Sequence, residues 1–276
     1  MAFSINVNAS ALSALRNLNS SSKEIQQTQT RINTGLKISS AKDNAAIFSI
    51  AQKLRGDLRG YNAVKQSLDR GISTVDVSLA AANSISDLLI EMKEKAVAAA
   101  DQGLDQTSRN ALSEDFASLR KQISTILNNA TFNGTNLIDG NGDNIVAITN
   151  PDATQTLTVA HATLALGGSN ITFSAGLNLD TQTIAAKAVT LLVTAMTNVS
   201  SVLTKLGAGA TSLEQNRTFA NKLADVIEIG IGNLVDADMA KESATLQALQ
   251  VKQQLGVQAL SIANQSPQSI LSLFNG

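Results

Sequence analysis

The sequence has no cysteine, no tryptophan and only two prolines among its 276 residues, and aromatic residues make up 3% of it. Without cysteine, disulfide bonds and thiolate metal sites are excluded. Charged residues are also sparse, at 16%, whereas typical domains contain about a quarter. We therefore expect the chain to expose less surface to water than an ordinary monomer does, which favours assembly with other chains.

Targeting and electrostatic signals are also missing. Residues 1–8 lack a basic n-region and a continuous apolar h-region, so we expect no cleavable signal peptide, and export would need another signal. A net charge of −1 gives no electrostatic reason to bind nucleic acid or anionic lipid. A membrane-spanning helix needs about 20 mostly apolar residues, whereas glutamine and asparagine interrupt the apolar C-terminal segment. We predict neither nucleic-acid binding nor membrane insertion.

The sequence shows no arrangement of residues that indicates catalysis. His161 is the only histidine, so histidine-based metal sites have no support, and we predict that it is an exposed strand residue. We expect Asp236 and Asp238 to be helix residues, which would point about 200° apart and could not form an acid–base pair. Gly230 and Gly232 begin like a dinucleotide-binding motif, but no third glycine follows. We expect no catalytic residue, cofactor or metal.

The C-terminal segment 234–276 carries two neighbouring rows of apolar residues at helical spacing. No charged residue follows Lys252. Because the apolar arc is wider than one partner helix can cover, we expect this helix to be buried on several sides by protein. The interface residues predicted here are Leu246, Leu249, Val251, Leu255, Ile262, Leu271, Leu273 and Phe274.

The N-terminal segment mirrors this pattern, because residues 1–15 carry no charge. Steps of three and four then predict an amphipathic helix of about 25 residues that needs a coiled-coil partner. The C-terminal helix is the obvious candidate. The predicted seam contains Leu15, Leu18, Ser22, Ile25, Gln29, Ile32 and Leu36, and the predicted interface residues are Leu12, Leu15, Leu18, Ile25 and Ile32.

Between the two ends, a second helix is predicted to start at the motif Ser40–Asp43 and to continue through Ala100. At about 1.5 Å per residue it would be roughly 80 Å long. A third helix is expected to end by Asn133-Gly134.

The segment 141–178 is rich in β-branched residues and predicts a small antiparallel hairpin region, with strands at 145–148, 156–159 and 171–173. A fourth helix is expected from Thr183, weakened in its centre by Gly207 and Gly209 and ended near Gly230. The predicted fold class is mainly α: a long antiparallel helical bundle or coiled-coil rod with a small β-hairpin region at its tip.

Four motifs resemble those of bacterial flagellins. Residues 31–46 read RINTGLKISSAKDNAA, residues 132–140 FNGTNLIDG, residues 236–242 DADMAKE and residues 263–273 ANQSPQSILSL. They are similar to the family patterns R-I-x-S-G-L-R-I-N-S-A-K-D-D-A-A, F-N-G-x-x-L-L-x-G, D-A-D-x-A-x-E and A-N-Q-x-P-Q-x-x-L-S-L. The motifs occur in the family's order, so the resemblance is highly specific, and only residues 141–185 lie outside it.

The resemblance implies a minimal flagellin. Residues 1–42 and 234–276 would form a discontinuous inner coiled-coil domain, and residues 43–233 an outer helical rod domain with its β-hairpin region at 141–178. The chain would leave the cell unfolded through the flagellar type III apparatus and polymerise into the extracellular filament. Its expected partners are copies of itself, paralogous flagellins, an export chaperone, the filament cap and hook-associated proteins.

One segment departs from the family pattern. Many flagellins carry an L-x-R-x-R-E-L-A-V segment that a Toll-like receptor contacts, and residues 89–97 here read LIEMKEKAV. Glu91 replaces an arginine and Lys95 replaces a leucine. A charge reversal and a charge in place of an apolar contact predict weak receptor activation.

Two other functions are alternatives to that of a filament subunit. A hook–filament junction protein resembles flagellin at both ends, and a coiled-coil adaptor would not polymerise. The serine and threonine content between Thr149 and Thr211 also supports the hypothesis of O-glycosylation, which the intact mass of native filaments would test.

Overall fold

The computed structural model describes the backbone of residues 8–274 and the side chains of residues 8–265. Its helices are α1 (Ala9–Thr34), α2 (Ala45–Ala99), α3 (Gln106–Asn129), α4 (Gln182–Val235) and α5 (Met239–Phe274), and its strands are β1 (Ile145–Ile148) and β2 (Thr156–Val159). This confirms a mainly α fold with a small β-hairpin.

The chain divides into two compact units. One contains the residues up to Gly56 together with those from Val226 onward, and the other is Asp57–Asp225. The second unit has a continuous hydrophobic core, because α2, α3 and α4 each turn one apolar row inward at steps of three and four residues. Fully buried members include Leu68, Leu89 and Met92 from α2, Phe116 and Ile123 from α3, and Leu192 and Val199 from α4.

The hairpin belongs to this second unit. β1 and β2 are antiparallel, with Ile145 opposite Val159 and Ile148 opposite Thr156. Ile145, Ala147 and Val159 are buried while Val146 is exposed, which is the alternation of a sheet with one face on a core.

The prediction of a third strand at residues 171–173 was wrong. Only an isolated bridge joins Leu166 to Ile171, across a turn in which Gly167 has φ 80°. Ile171 and Phe173 are buried in the core. Their apolar and β-branched character therefore reflects burial rather than strand pairing.

The motif Ser40–Asp43 does not start a helix. α2 begins at Ala45, where the Asn44 side chain accepts a hydrogen bond from the backbone N–H of Ile47 at 3.1 Å. One carboxylate oxygen of Asp43 instead accepts hydrogen bonds from the backbone N–H and the hydroxyl groups of Ser39 and Ser40. The hydrogen bond from the backbone N–H of Ser40 is the main cause that lowers the pKa of Asp43. The turn therefore keeps these bonds at pH values above the usual carboxyl pKa, and it loses them when acid protonates Asp43.

We predicted that α4 ends near Gly230, but the helix continues through Gly230 and Gly232 to Val235. It is also continuous through Gly207 and Gly209, and the weakening predicted there stays a prediction. Gly209 leaves room for the hairpin: a Cβ there would lie 2.9 Å from Cγ1 of Val159. Asp236 and Asp238 follow the helix and are not helical, contrary to our expectation. The Asp238 side chain accepts hydrogen bonds from the backbone N–H groups of Ala240 and Lys241, which caps α5.

Among the described residues, α4 contains an 18-residue window with a mean hydropathy of 1.4. By length and composition alone, this helix is long and apolar enough to cross a membrane. Its inward residues Leu192, Val199 and Leu206 are buried in the core of the second unit, which accounts for part of this apolar character. The absence of membrane insertion stays a prediction.

Two glycines of α2 offer a matched test of how the hairpin packs. A Cβ at Gly60 would lie 2.6 Å from Cβ of Pro151 in the hairpin turn, whereas one at Gly56 would meet nothing within 4 Å. Alanine gains about 1 kcal/mol over glycine within a helix, so Gly56→Ala should raise the free energy of unfolding by about that amount. Overpacking costs about 1–3 kcal/mol, so Gly60→Ala should lower it.

Urea unfolding followed by circular dichroism measures both effects. If the two substitutions stabilised the protein equally, the close approach of Pro151 to α2 would be contradicted.

Candidate assembly interface

Helices α1 and α5 pack against each other within the first unit. Ile25 of α1 and Leu249 of α5 are each only 8% exposed. The inward row of α5 alternates steps of three and four residues, as in a coiled coil. That row contains Leu246, Leu249, Gln253, Gly256, Leu260 and Ala263, all buried or half-buried.

Polar and small residues set the register of this seam. The Gln253 side-chain amide donates a hydrogen bond to the hydroxyl oxygen of Ser22 at 3.1 Å. The Asn8 amide donates to the backbone carbonyl of Ala263 at 2.7 Å. A Cβ at Gly256 would lie 3.5 Å from Cδ1 of Leu18, so this position is in direct contact with α1.

The other end of the helix pair is held by an ion pair and by backbone bonds. Arg31 Nη1 lies 3.1 Å from Glu242 Oε1, and the two side chains are 28% and 13% exposed. Nearby, the backbone N–H of Lys37 donates to the carbonyl of Val235 at 2.7 Å, and that of Ala237 to the carbonyl of Gly35 at 2.9 Å. Gly35, at φ 70°, supplies the left-handed residue that ends α1.

The seam differs from the predicted heptad at Leu15 and Gln29, both of which are exposed. Ser21, Ile25 and Thr28 are the buried residues of α1, whereas the predicted member Gln29 is exposed. Because Thr28 and Gln29 are both polar, the sequence alone does not indicate which of them faces α5. Steps of three and four occur in both rows, so the spacing gave no signal that separates them.

The predicted interface residues fall into two groups. Ile25 and Leu249 are buried in the seam, and Leu18, Ile32 and Leu246 are half-buried beside it. Leu12, Leu15, Val251, Leu255 and Ile262 are 47%, 42%, 55%, 63% and 65% exposed. The side chains of Leu271, Leu273 and Phe274 lie outside the described residues.

The exposed group is large for a helix pair. Met239 and Val257 of α5 are also exposed, at 43% and 54%. Burying a large aliphatic side chain contributes about 1.5–3 kcal/mol, and α1 and α5 cover only one face of each other. A further protein surface over these rows would therefore stabilise both helices.

The segment that departs from the flagellin pattern lies on α2. Glu91 is exposed, and the neighbouring Ile90 is 51% exposed. Lys95 Nζ lies 2.7 Å from Asp115 Oδ2 of α3, and this hydrogen bond is the main cause that raises the pKa of Lys95. The positive charge at position 95 is therefore already paired within the chain.

We expected His161 to be an exposed strand residue, and this prediction was wrong. It follows β2 and is half-buried, with its Nε2 2.8 Å from the carbonyl oxygen of Asp139 and its backbone N–H donating to Asn144 Oδ1 at 2.8 Å. The ring therefore joins two loop segments beside the hairpin. Within residues 8–274, no cluster of three histidine, aspartate or glutamate side chains could hold a metal ion.

Comparison with known proteins assigns this architecture to a family. The profile of the bacterial flagellin N-terminal helical region matches residues 5–143, and that of the C-terminal helical region matches residues 189–274. The flagellin FljM of Caulobacter vibrioides is 51% identical over 98% of each chain. A flagellin of Brucella melitensis is 40% identical over 99% of each chain.

Two solved structures share the fold. The Bacillus cereus flagellin has a TM-score of 0.50 at 22% identity and covers 56% of this chain and 88% of its own. A putative flagellar hook-associated protein from Vibrio parahaemolyticus has a TM-score of 0.59 at 15% identity and covers 70% and 100%. At these identities the structures support the fold alone. From the family profiles and the relatives matched over nearly their whole length, the chain belongs to the bacterial flagellin family, as a structural subunit that self-polymerises into the extracellular flagellar filament.

Proposed function

We propose that the exposed apolar rows of α1 and α5 are the surfaces that other copies cover in the filament. The observation that carries this proposal is the contrast within one helix pair: Ile25 and Leu249 are buried, whereas Leu255 and Ile262 are more than 60% exposed. Charge does not oppose such burial, because no charged residue follows Lys252. Glutamine and asparagine in these rows can form hydrogen bonds without the desolvation cost of a charge.

This arrangement couples folding to assembly. An isolated helix pair with a partly polar seam has little apolar burial to offset the entropy of ordering it. Binding of further copies stabilises only the folded state, so helix formation and polymerisation strengthen each other. In this proposal residues 1–42 and 234–276 form the inner domain of the filament, and residues 43–233 form the outer domain.

Several partners follow from the same assignment. The proposal includes unfolded export through the type III apparatus with an export chaperone, growth beneath a filament cap, and attachment through hook-associated proteins. Copolymerisation with paralogous flagellins is supported by the Caulobacter vibrioides relatives, since that one organism has five flagellins 46–51% identical to this chain.

A hook–filament junction protein is the second candidate, and the fold shared with the hook-associated protein is the observation that fits it. The flagellins that match over 98% of this chain favour the filament. Copy number separates the two candidates, because a filament subunit is present in thousands of copies per flagellum and a junction protein in few. A non-polymerising adaptor would fail to elongate filament fragments.

The interface is tested by charges placed on the exposed row. Replacing Leu255 and Ile262 together by glutamate should stop elongation of filament fragments, because each buried charge costs several kcal/mol. The monomer should remain as folded as the parent, since both side chains are exposed in it. Elongation is followed by sedimentation and electron microscopy, and monomer folding by circular dichroism.

The matched control keeps the row apolar, with Leu255→Met and Ile262→Val, and should elongate at nearly the parent rate. Filaments growing normally from the glutamate variant would refute the assignment of this row to the interface.

We further propose that this flagellin activates the Toll-like receptor only weakly. Restoring the family residues with Glu91→Arg and Lys95→Leu should raise potency about tenfold or more in a reporter-cell assay, because each replaced contact is worth about 1 kcal/mol or more. A charge reversal at exposed Asp76, away from the segment, serves as the control. Full potency of the unaltered monomer would contradict the proposal.

A further inference from the structure

The chain contains three Asn-Gly pairs, and their surroundings differ. They are Asn133-Gly134, Asn141-Gly142 and Asn275-Gly276, of which the last lies outside the described residues. In an Asn-Gly pair the backbone nitrogen of the glycine reaches the asparagine carboxamide most easily, because glycine has no Cβ to hinder the approach. The first two pairs are both exposed, so their backbone conformations decide which of them reacts.

The pair at 133–134 forms a tight turn that protects it. Phe132 and Thr135 exchange two backbone hydrogen bonds of 3.0 Å across the turn, and φ is 50° at Asn133 and 82° at Gly134. Positive φ at both central residues defines a type I′ turn, in which the first of them has ψ of about 30°. At this ψ the backbone nitrogen of Gly134 lies opposite to Cβ of Asn133 across the Cα–C bond. It therefore points away from the carboxamide.

Asn141 lies in a loop that is held at its two ends. His161 contacts the carbonyl oxygen of Asp139 through Nε2 at 2.8 Å, and it donates its backbone N–H to Asn144 Oδ1 at 2.8 Å. Between these two anchors, residues 140–143 form no backbone–backbone hydrogen bond with any described part of the chain. Because Asn141 has a glycine on each side, its backbone can rotate about the Cα–C bond at little cost.

We propose that Asn141 is a site of spontaneous deamidation. The backbone N–H of Gly142 donates to no group among the described residues, so its nitrogen is free to attack Cγ of Asn141. The attack forms the new N–C bond of a succinimide ring, the attacking nitrogen loses its proton to solvent base, and the carboxamide nitrogen leaves as ammonia. Water then opens the ring at either carbonyl carbon, which gives aspartate or isoaspartate. The reaction requires water alone.

The product changes the charge of this loop. In the unmodified chain the Asn141 carboxamide donates to Asp139 Oδ2 at 2.7 Å, and the backbone N–H of Asn141 donates to Asp139 Oδ1 at 2.9 Å. Deamidation replaces the carboxamide donor by a carboxylate, so two like charges face each other and the turn between them opens. The net charge of the chain, −1 before the reaction, becomes more negative by one. The extent of the reaction thus records how long a copy has existed, as monomer or in the filament.

Peptide mapping by mass spectrometry tests the site, with the folded full-length monomer incubated in mildly alkaline buffer. Deamidation at Asn141 should be at least about tenfold faster than at Asn133, a ratio that corresponds to about 1.4 kcal/mol of activation free energy. In the same chain unfolded by guanidinium chloride, the turn at 132–135 is lost, and the two rates should agree within about threefold. The comparison separates the effect of the folded backbone from that of the Asn-Gly sequence.

Two variants complete the test. Asn141→Gln is the matched control, because its longer side chain must close a larger ring, and position 141 should stay unmodified in it. Asn141→Asp reproduces one product and should speed amide hydrogen exchange in residues 139–144 while α2, α3 and α4 exchange as in the parent.

Equal deamidation rates at Asn133 and Asn141 in the folded monomer would overturn the proposal, as would a tenfold preference for Asn141 that persists after unfolding. Unchanged exchange in the Asn141→Asp variant would overturn the opening of the turn. Each measurement uses the monomer, so a failure of the proposed filament interface would leave these results unaffected.

Discussion

The burial that α1 and α5 cannot provide for each other is the constraint on which the rest of the structure depends. Their seam covers Ile25 and Leu249 and leaves Leu12, Leu255 and Ile262 about half exposed or more. Apolar side chains on several sides of a helix need several partners. The chain belongs to a family of filament subunits, and in our proposal further copies of the same chain supply those partners.

The polar residues of the seam are consistent with this role. Ser21 and Thr28 are buried where a stable coiled coil would have larger apolar residues. Gln253, bonded to Ser22, adds register rather than strength. Such contacts fix the register of the pair and contribute little apolar burial, which agrees with the proposal that α1 and α5 become stable on assembly. The second unit differs, because its core joins α2, α3, α4 and the hairpin within one copy.

Much of the fold was predictable because helical periodicity over long segments is a strong signal. The first two strands were predictable from β-branched runs bounded by turn residues. The errors have a common cause: one residue type serves two purposes. Gly232, inside α4, leaves room for Asp236, because a Cβ there would lie 2.7 Å from Asp236 Oδ2, whereas glycine in the sequence suggested the end of the helix. Ile171 and Phe173 are core residues of a loop and look like a strand.

The apolar rows of α1 and α5 could be predicted from the sequence, but their inward and outward members could not be told apart. Sequence spacing identifies the apolar rows of α1 and α5, yet only the packing of the pair shows that Leu249 faces inward and Leu255 outward. Likewise, Ser40–Asp43 has the spacing of a helix start, but Asp43 closes a turn because Asn44 lies nearer the helix and caps it.

The dependence of α1 and α5 on neighbouring copies is tested most directly by amide hydrogen exchange, compared between dilute monomer and assembled filament. Amides of both helices should exchange rapidly in the monomer and become strongly protected in the filament, while the core helices of the second unit are protected in both states. Strong protection of α1 and α5 in the isolated monomer, unchanged on assembly, would contradict the account.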